Sequence, residues 1–314
     1  MATLPAVGEP SPRDGGVLGG GEDETQCAPV VKGWRSFNDI TESYRHGGNG
    51  ELVFVCTTYL LLEESDGTVY YGSLQIPKLE ISLDQAKNCL TRVAPDELYP
   101  LLPPELSALA LAPSDVQPDQ YVKRPKFLSY RWSAGMKIVA ARFLEEARTL
   151  DLVRRNAHAN VVAFEGCVVH DGRIIGLCLK RYPLTLDKRL NSRDREPLDK
   201  LACFEGIISG VRRLHSLGIA HNDLNPSNIM FDDHDHPVIV DLGSCKPFGE
   251  PLTEMGTPKW NDGFDENSTP GNDTIGLNKL RDWLGVIGAS PNPDGMISAG
   301  SCLQTSVSSA GKTE

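Results

Sequence analysis

No stretch of this 314-residue chain is apolar over the roughly 20 consecutive residues needed to cross a bilayer, and no cationic-then-apolar leader opens it. Membrane-spanning and secreted classes are set aside on those grounds. Basic stripes are also lacking: the net charge is −11, so a polyanion such as nucleic acid is a poor partner. The eight cysteines form no C-x-x-C pair and no dense framework. That excludes a disulfide scaffold and the common zinc modules, and it points to reduced thiols in the cytoplasm or nucleus. Residues 1–32 and 286–314 lack hydrophobic periodicity, the second stretch being rich in Ser, Gly, Pro and Asn, and both read as disordered tails.

What is present is concentrated in His221-Asn222-Asp223-Leu224-Asn225-Pro226-Ser227-Asn228. This run leads into Ile229–Phe231, a polar turn, and Pro237-Val238-Ile239-Val240-Asp241-Leu242-Gly243. An acid, an asparagine five residues on, an apolar hairpin and a second acid followed by Leu-Gly carry the residue types that phosphoryl transfer requires. Asp223 can accept or orient a hydroxyl proton, and Asn228 and Asp241 offer hard oxygen ligands to magnesium on a nucleotide phosphate. The Asp232–His236 run between the two apolar segments reads as a hydrophilic turn rather than a metal site.

Upstream, Leu201, Phe204, Ile208, Val211, Leu214 and Leu217 recur at helical spacing, with Gly218 as a stop. Phe143–Leu150 reads as another helix. Two apolar runs, Val161–Val169 and Ile174–Leu179, meet at Asp171-Gly172, a hairpin signal that lets Cys167 and Cys178 face each other across the pair, though core cysteines are the simpler reading. Nearer the start, Glu51–Leu62 and Val69–Ile76 flank Ser65-Asp66-Gly67-Thr68 as a second hairpin. A glycine turn at Gly47–Gly50 precedes it, Leu83–Val93 reads as a short helix, and Pro95–Pro118 as an extended connector.

The order of these motifs resembles the eukaryotic protein-kinase-like superfamily, with His221–Asn228 in the place of the catalytic loop and Asp241-Leu242-Gly243 in that of Asp-Phe-Gly. His158-Ala159-Asn160-Val161-Val162 is similar to the H-P-N-I-V stretch, and Gly256-Thr257-Pro258-Lys259-Trp260 to the segment that meets the acceptor. Asn272–Leu277 looks like the start of helix F, with Asp273 where an acid ties down the catalytic loop. The set Y-V-K-R-P, R-Y-P-x-T-L, H-N-D-L-N-P-S-N and D-L-G-S resembles a divergent kinase-domain family abundant in filamentous fungi, over about residues 95–285.

That resemblance implies an α+β, bilobal protein-kinase-like fold with a small β-rich N-lobe and an abbreviated helical C-lobe. The implied organisation is a tail over 1–32, a hairpin, helix and Pro-rich connector over 33–118, a kinase-like domain over 119–285 and a tail over 286–314. It further implies use of ATP and Mg²⁺: Lys123 on the phosphates, held by Glu146 rather than Glu145, with Asn228 and Asp241 on the metal and Asp223 as catalytic base. Lys137 is the rival of Lys123 but leaves too little chain before Glu146 for a strand end and a helix start. The hinge Lys180–Leu186 would receive the adenine.

Several family features are missing. No G-x-G-x-x-G immediately precedes Lys123, no A-P-E follows the Gly256–Trp260 segment, and the apolar pattern ends at Trp283-Leu284. The Glu51–Ile76 hairpin either roofs the nucleotide in place of a glycine loop or packs on the N-lobe as a separate element. Asn222 replaces the arginine that reads an activation-segment phosphate. Asn225 replaces the lysine that neutralises the transferred phosphate, which predicts a slow enzyme because electrostatic stabilisation is usually the largest catalytic term. Three functions stay open: a Ser/Thr-type protein kinase, a nucleotide-binding pseudokinase serving as an interaction module, and a small-molecule phosphotransferase of the aminoglycoside or choline type.

Overall fold

The structure, a computed structural model, describes Pro29 and residues 31–127, 137–192, 195–254 and 256–287. Most of both expected tails therefore lies outside the described residues. The first unit is an antiparallel sheet in the order β1 (Asp39–His46), β2 (Leu52–Leu62), β3 (Val69–Leu74), β4 (Thr91–Arg92). The Gly47–Gly50 turn joins β1 to β2, and the Asp66-Gly67 turn joins β2 to β3 as the sequence predicts.

Helix α1 (Leu83–Asn88) begins with a capping box: Gln85 N donates to Ser82 Oγ at 3.2 Å and Ser82 N donates to Gln85 Oε1 at 2.9 Å. It is shorter than the expected Leu83–Val93 helix. The chain after Asn88 presses on Gly72, where a Cβ would stand 2.9 Å from the Cys89 carbonyl oxygen, and then leaves as β4.

The Pro95–Pro118 stretch also departs from expectation, since it is folded into turns rather than extended. It forms α2 (Pro95–Leu98), a 3₁₀ turn over Pro104–Leu109, the short strand β5 (Ala110–Leu111) and a second 3₁₀ turn over Pro113–Asp115. In each helical piece a proline occupies a first-turn position, where its missing N–H is not needed. Leu98, Tyr99 and Leu106 are buried.

The second sheet runs β5, β7 (Phe164–His170), β8 (Arg173–Lys180), β6 (Gln120–Lys123), with β5 parallel to β7 and the other pairs antiparallel. Asp171 and Gly172, at φ 46° and 69°, make the primed turn that the Asp-Gly signal called for. Helix α3 (Ile138–Arg155) packs on one face of this sheet through Phe143, Ala147 and Leu150. The other face, with Val168, Ile175 and Cys178, is covered by Leu60, Val69, Leu98 and Tyr99 from the N-terminal unit. Cys167 and Cys178 therefore belong to opposite faces and do not meet across the hairpin. Both are free core thiols, pushed up by burial to about 12 and about 11.

Beyond β9 (Leu184–Thr185) and α4 (Leu186–Leu190), helix α5 (Lys200–Ser216) buries Phe204, Ile207, Ile208, Val211 and Leu214 and ends two residues before Gly218, which stands at φ 76°. Strand β10 (Ile219–Ala220) then pairs with β13 (Lys246–Pro247), and β11 (Ile229–Phe231) lies between β12 (Pro237–Ile239) and β9. Helix α6 (Pro270–Leu284) closes the core with Leu277, Leu280 and Leu284. The result is a β-rich N-terminal region joined to a helical region, with the mixed α+β bilobal architecture expected from the sequence.

Candidate active site

The junction of the two lobes holds a cavity of about 410 Å³. This falls within the roughly 300–1,000 Å³ typical of small-molecule sites. Val162, Leu179, Met230 and Val240 give it apolar walls, the hinge residues Lys180, Arg181 and Tyr182 line its edge, and Lys123, Asn228 and Asp241 stand at its polar end. No residue of the β2–β3 hairpin lines it. The hairpin packs on the far face of the N-lobe sheet instead, which overturns the reading of it as a roof over the nucleotide. Its apolar residues Leu60 and Val69 go to that sheet face, so little is left to reach over the cleft.

Lys123 ends β6 opposite Leu177. Its Nζ donates to Glu146 Oε1 and, at 2.6 Å, to Asp241 Oδ1. Burial alone would lower the lysine pKa, but the two carboxylates hold it above its ordinary value. Burial likewise opposes ionisation of Asp241, yet Lys123 and then Lys126 keep its carboxyl well below the usual range. Burial pushes the Glu146 carboxyl up, with Lys123 pulling it back. Lys137, the rival, instead precedes α3 and pairs with Asp96 at 2.7 Å, while Glu145 pairs with Lys246 at 2.5 Å. The geometry thus brings Lys123, Glu146 and Asp241 together and leaves both rivals outside.

Asp241 adopts the left-handed conformation, φ 60° and ψ 73°. A non-glycine residue held there is uncommon, and such positions concentrate where function fixes the backbone. Asp223 lies beside Asn228, next to this polar end. Its Oδ1 accepts from Thr257 N at 2.8 Å and its Oδ2 from Asn228 Nδ2 at 3.0 Å. Because Asn228 Nδ2 also donates to the Asp223 carbonyl at 2.9 Å, the amide oxygen is what Asn228 has to offer a ligand. A carboxylate and an amide oxygen are the hard donors that magnesium takes, so this end of the cavity fits a metal-bound phosphate.

Asn225 has more to do than the sequence suggested. Its Nδ2 donates to Thr257 Oγ1 at 3.1 Å and to Asp223 Oδ1 at 3.2 Å, and its Oδ1 accepts from Ser227 N at 2.9 Å. Asn222 is buried, with φ 60°, and its amide bonds to Ala220 O, Ser244 O and Ser268 Oγ. Sequence reasoning missed Ser268, Asn272 and the tie from Asn225 to Thr257. The one available signal was that two polar, uncharged residues fill catalytic-loop positions where charged ones are usual.

Two lobes around such a cleft make a kinase-like bilobal fold. Residues 130–261 match the protein kinase domain family. The human dual specificity testis-specific protein kinase 1 is 32% identical over 127 residues, which is 36% of this chain and 20% of that protein. A sea-urchin (Strongylocentrotus purpuratus) dual serine/threonine and tyrosine protein kinase is 33% identical over 97 residues, 29% of this chain and 10% of that protein. The interferon-induced, double-stranded RNA-activated protein kinase of Rattus norvegicus is 40% identical over 83 residues, 24% and 16% respectively. The chain spans a tenth to a fifth of the length of these relatives. It carries a domain of the eukaryotic protein-kinase-like superfamily.

Proposed function

We propose that the chain is a Mg-ATP-dependent protein kinase of the Ser/Thr type, working in the cytoplasm or nucleus. The single observation that carries this reading is one cavity lined by Lys123, Asn228 and Asp241, with Lys123 paired to Glu146 and Asp241 and Asn228 hydrogen-bonded to Asp223. Bound Mg-ATP supplies the phosphoryl group and the metal that offsets its charge. Lys123 would hold the α- and β-phosphates, Asn228 and Asp241 the magnesium, and the hinge Lys180–Tyr182 the base. Asp223 would take or orient the proton of the acceptor hydroxyl. Ser/Thr preference is supported by Pro226-Ser227-Asn228. A pseudokinase is the second reading, favoured by Asn225 in the charge-neutralising position and by the lack of a glycine-rich loop before Lys123.

Two measurements test these readings. Thermal stability should rise with Mg-ATP, by about 2.7 kcal/mol at a hundredfold excess over Kd. Asp241→Asn should remove most of that rise, because it takes a charged ligand from the metal. No rise at millimolar nucleotide would sink both readings. Transfer of labelled phosphate to a generic protein such as casein then distinguishes enzyme from pseudokinase.

Asn225→Lys should raise kcat with little change in KM for ATP, as expected for a charge that acts chiefly in the transition state. Losing the Asn225 Oδ1–Ser227 N bond should cost about 0.5–2 kcal/mol of stability, the usual penalty for a lost cap. A lower kcat would mean that the tie to Thr257 outweighs the missing charge.

A further inference from the structure

Helix α3 does more than present Glu146. Arg142, Glu145 and Glu146 lie at positions i, i+3 and i+4 and so share one face of the helix. All three are ion-paired. Glu146 meets Lys123, Glu145 Oε2 accepts from Lys246 Nζ at 2.5 Å, and Arg142 Nη1 donates to Glu254 Oε1 at 2.8 Å. Arg142 Nη2 also donates to the Thr253 carbonyl at 3.0 Å, and Lys126 Nζ stands 3.5 Å from the other Glu254 oxygen. Lys246 and Glu254 both belong to the segment that follows Asp241-Leu242-Gly243. The helix therefore reads plus, minus, and that segment answers minus, plus. Gly243 permits the close approach: a Cβ there would lie 3.3 Å from Glu146 Oε2.

We infer that Lys246 and Glu254 are positioning residues that hold α3 where Glu146 can reach Lys123, and that Glu254 is a resident substitute for a phosphate on this segment. Two observations make the encoded charge sufficient. Arg142 and Lys126 converge on Glu254, which gives the helix its anionic partner without modification. Asn222 is buried and spends its amide on Ala220, Ser244 and Ser268, so the catalytic loop offers an incoming phosphate no cation at this position. Inward placement of α3 is then written into the sequence rather than set by a phosphorylation event.

The kinetic arm of the test rests on the phosphotransferase reading; the exchange arm does not. In the full chain, Arg142→Glu and Glu254→Arg are made singly and together as a charge exchange. Each single change should lower kcat on casein about tenfold and speed amide exchange along 138–155, while the double change should recover most of both losses, the remainder reflecting Lys126, which then faces a guanidinium. The melting temperature should move little, because the Arg142–Glu254 pair is about a third exposed and such pairs contribute little stability. Phosphatase treatment should leave the wild-type rate unaltered. Single reversals without effect, a double variant no better than the worse single, or a phosphatase-sensitive wild type would overturn the inference. A wild type without any transfer would defeat the kinase reading alone, and amide exchange in the same variants would still decide whether the lock exists.

Discussion

Asp223→Asn is expected to cut phosphoryl transfer by about 10²–10⁴-fold, the usual contribution of a positioned acid–base group, while the stabilisation by Mg-ATP survives. The carboxylate accepts from Thr257 N and from the amides of Asn225 and Asn228, and Asn228 lines the cavity together with Lys123 and Asp241. An asparagine keeps the shape and one acceptor oxygen but cannot take a proton. It also turns its own amide toward a neighbour that donates, so the loop adjusts locally without losing the magnesium ligands. Asp241→Asn should behave in the opposite way, losing nucleotide-dependent stabilisation first. A pair of variants that separates chemistry from binding in this fashion is hard to reconcile with a pure interaction module. Equal loss of binding in both would mean that Asp223 belongs to the metal site, and full retention of transfer in Asp223→Asn would remove it from the mechanism.

Much of this site was legible because its parts are local in sequence. The apolar hairpin from Ile229 to Ile239 fixes the distance between Asn228 and Asp241, and the helical spacing from Leu201 to Leu217 fixes where the chain enters His221. Lys123 was found by motif order, since nothing about an isolated lysine in a four-residue strand distinguishes it; the structure supplies what the sequence could not, its convergence on Glu146 and Asp241. The N-terminal unit was harder to place. Leu60, Val69, Leu98 and Tyr99 carry no periodicity that says which surface they will cover, and only the tertiary fold reveals that they close the open face of the β7–β8 sheet. The Pro-rich stretch misled because proline disfavours helix interiors yet suits first turns, and four-residue helices leave too faint a pattern to see. The end of α6 at Leu284 falls where the apolar pattern stops, and its start lies two residues before the expected Asn272. Gly285 in the left-handed conformation and Val286 N donating to Arg281 O complete its cap, details that apolar spacing does not encode.

Asp273→Ala should be the most destabilising single change in the C-lobe. The side chain is fully buried at the start of α6, and three donors converge on it. His221 N reaches Oδ2 at 2.8 Å, Asn222 N reaches Oδ1 at 2.8 Å, and His215 Nε2 lies 2.9 Å from Oδ2. Alanine leaves the His221 and Asn222 N–H groups without this acceptor in a place water does not reach, and takes the carboxylate from His215. Each orphaned donor costs about 1–3 kcal/mol, so the total is on the order of 3 kcal/mol or more. That is a large part of the roughly 5–15 kcal/mol by which domains are stable. The melting temperature should fall by roughly 2–4 °C per kcal/mol in a domain of this size. Activity should fall with it even below the transition, because the left-handed turn at Asn222, which aims Asp223, is held by these same bonds. Asp273→Asn tests the account more finely. It keeps one acceptor but sets its new amide against an N–H, so it should fall between wild type and alanine in both stability and rate. An alanine variant that melts with the wild type would show that the catalytic loop holds its shape without α6, and the anchoring role assigned to Asp273 would have to be abandoned.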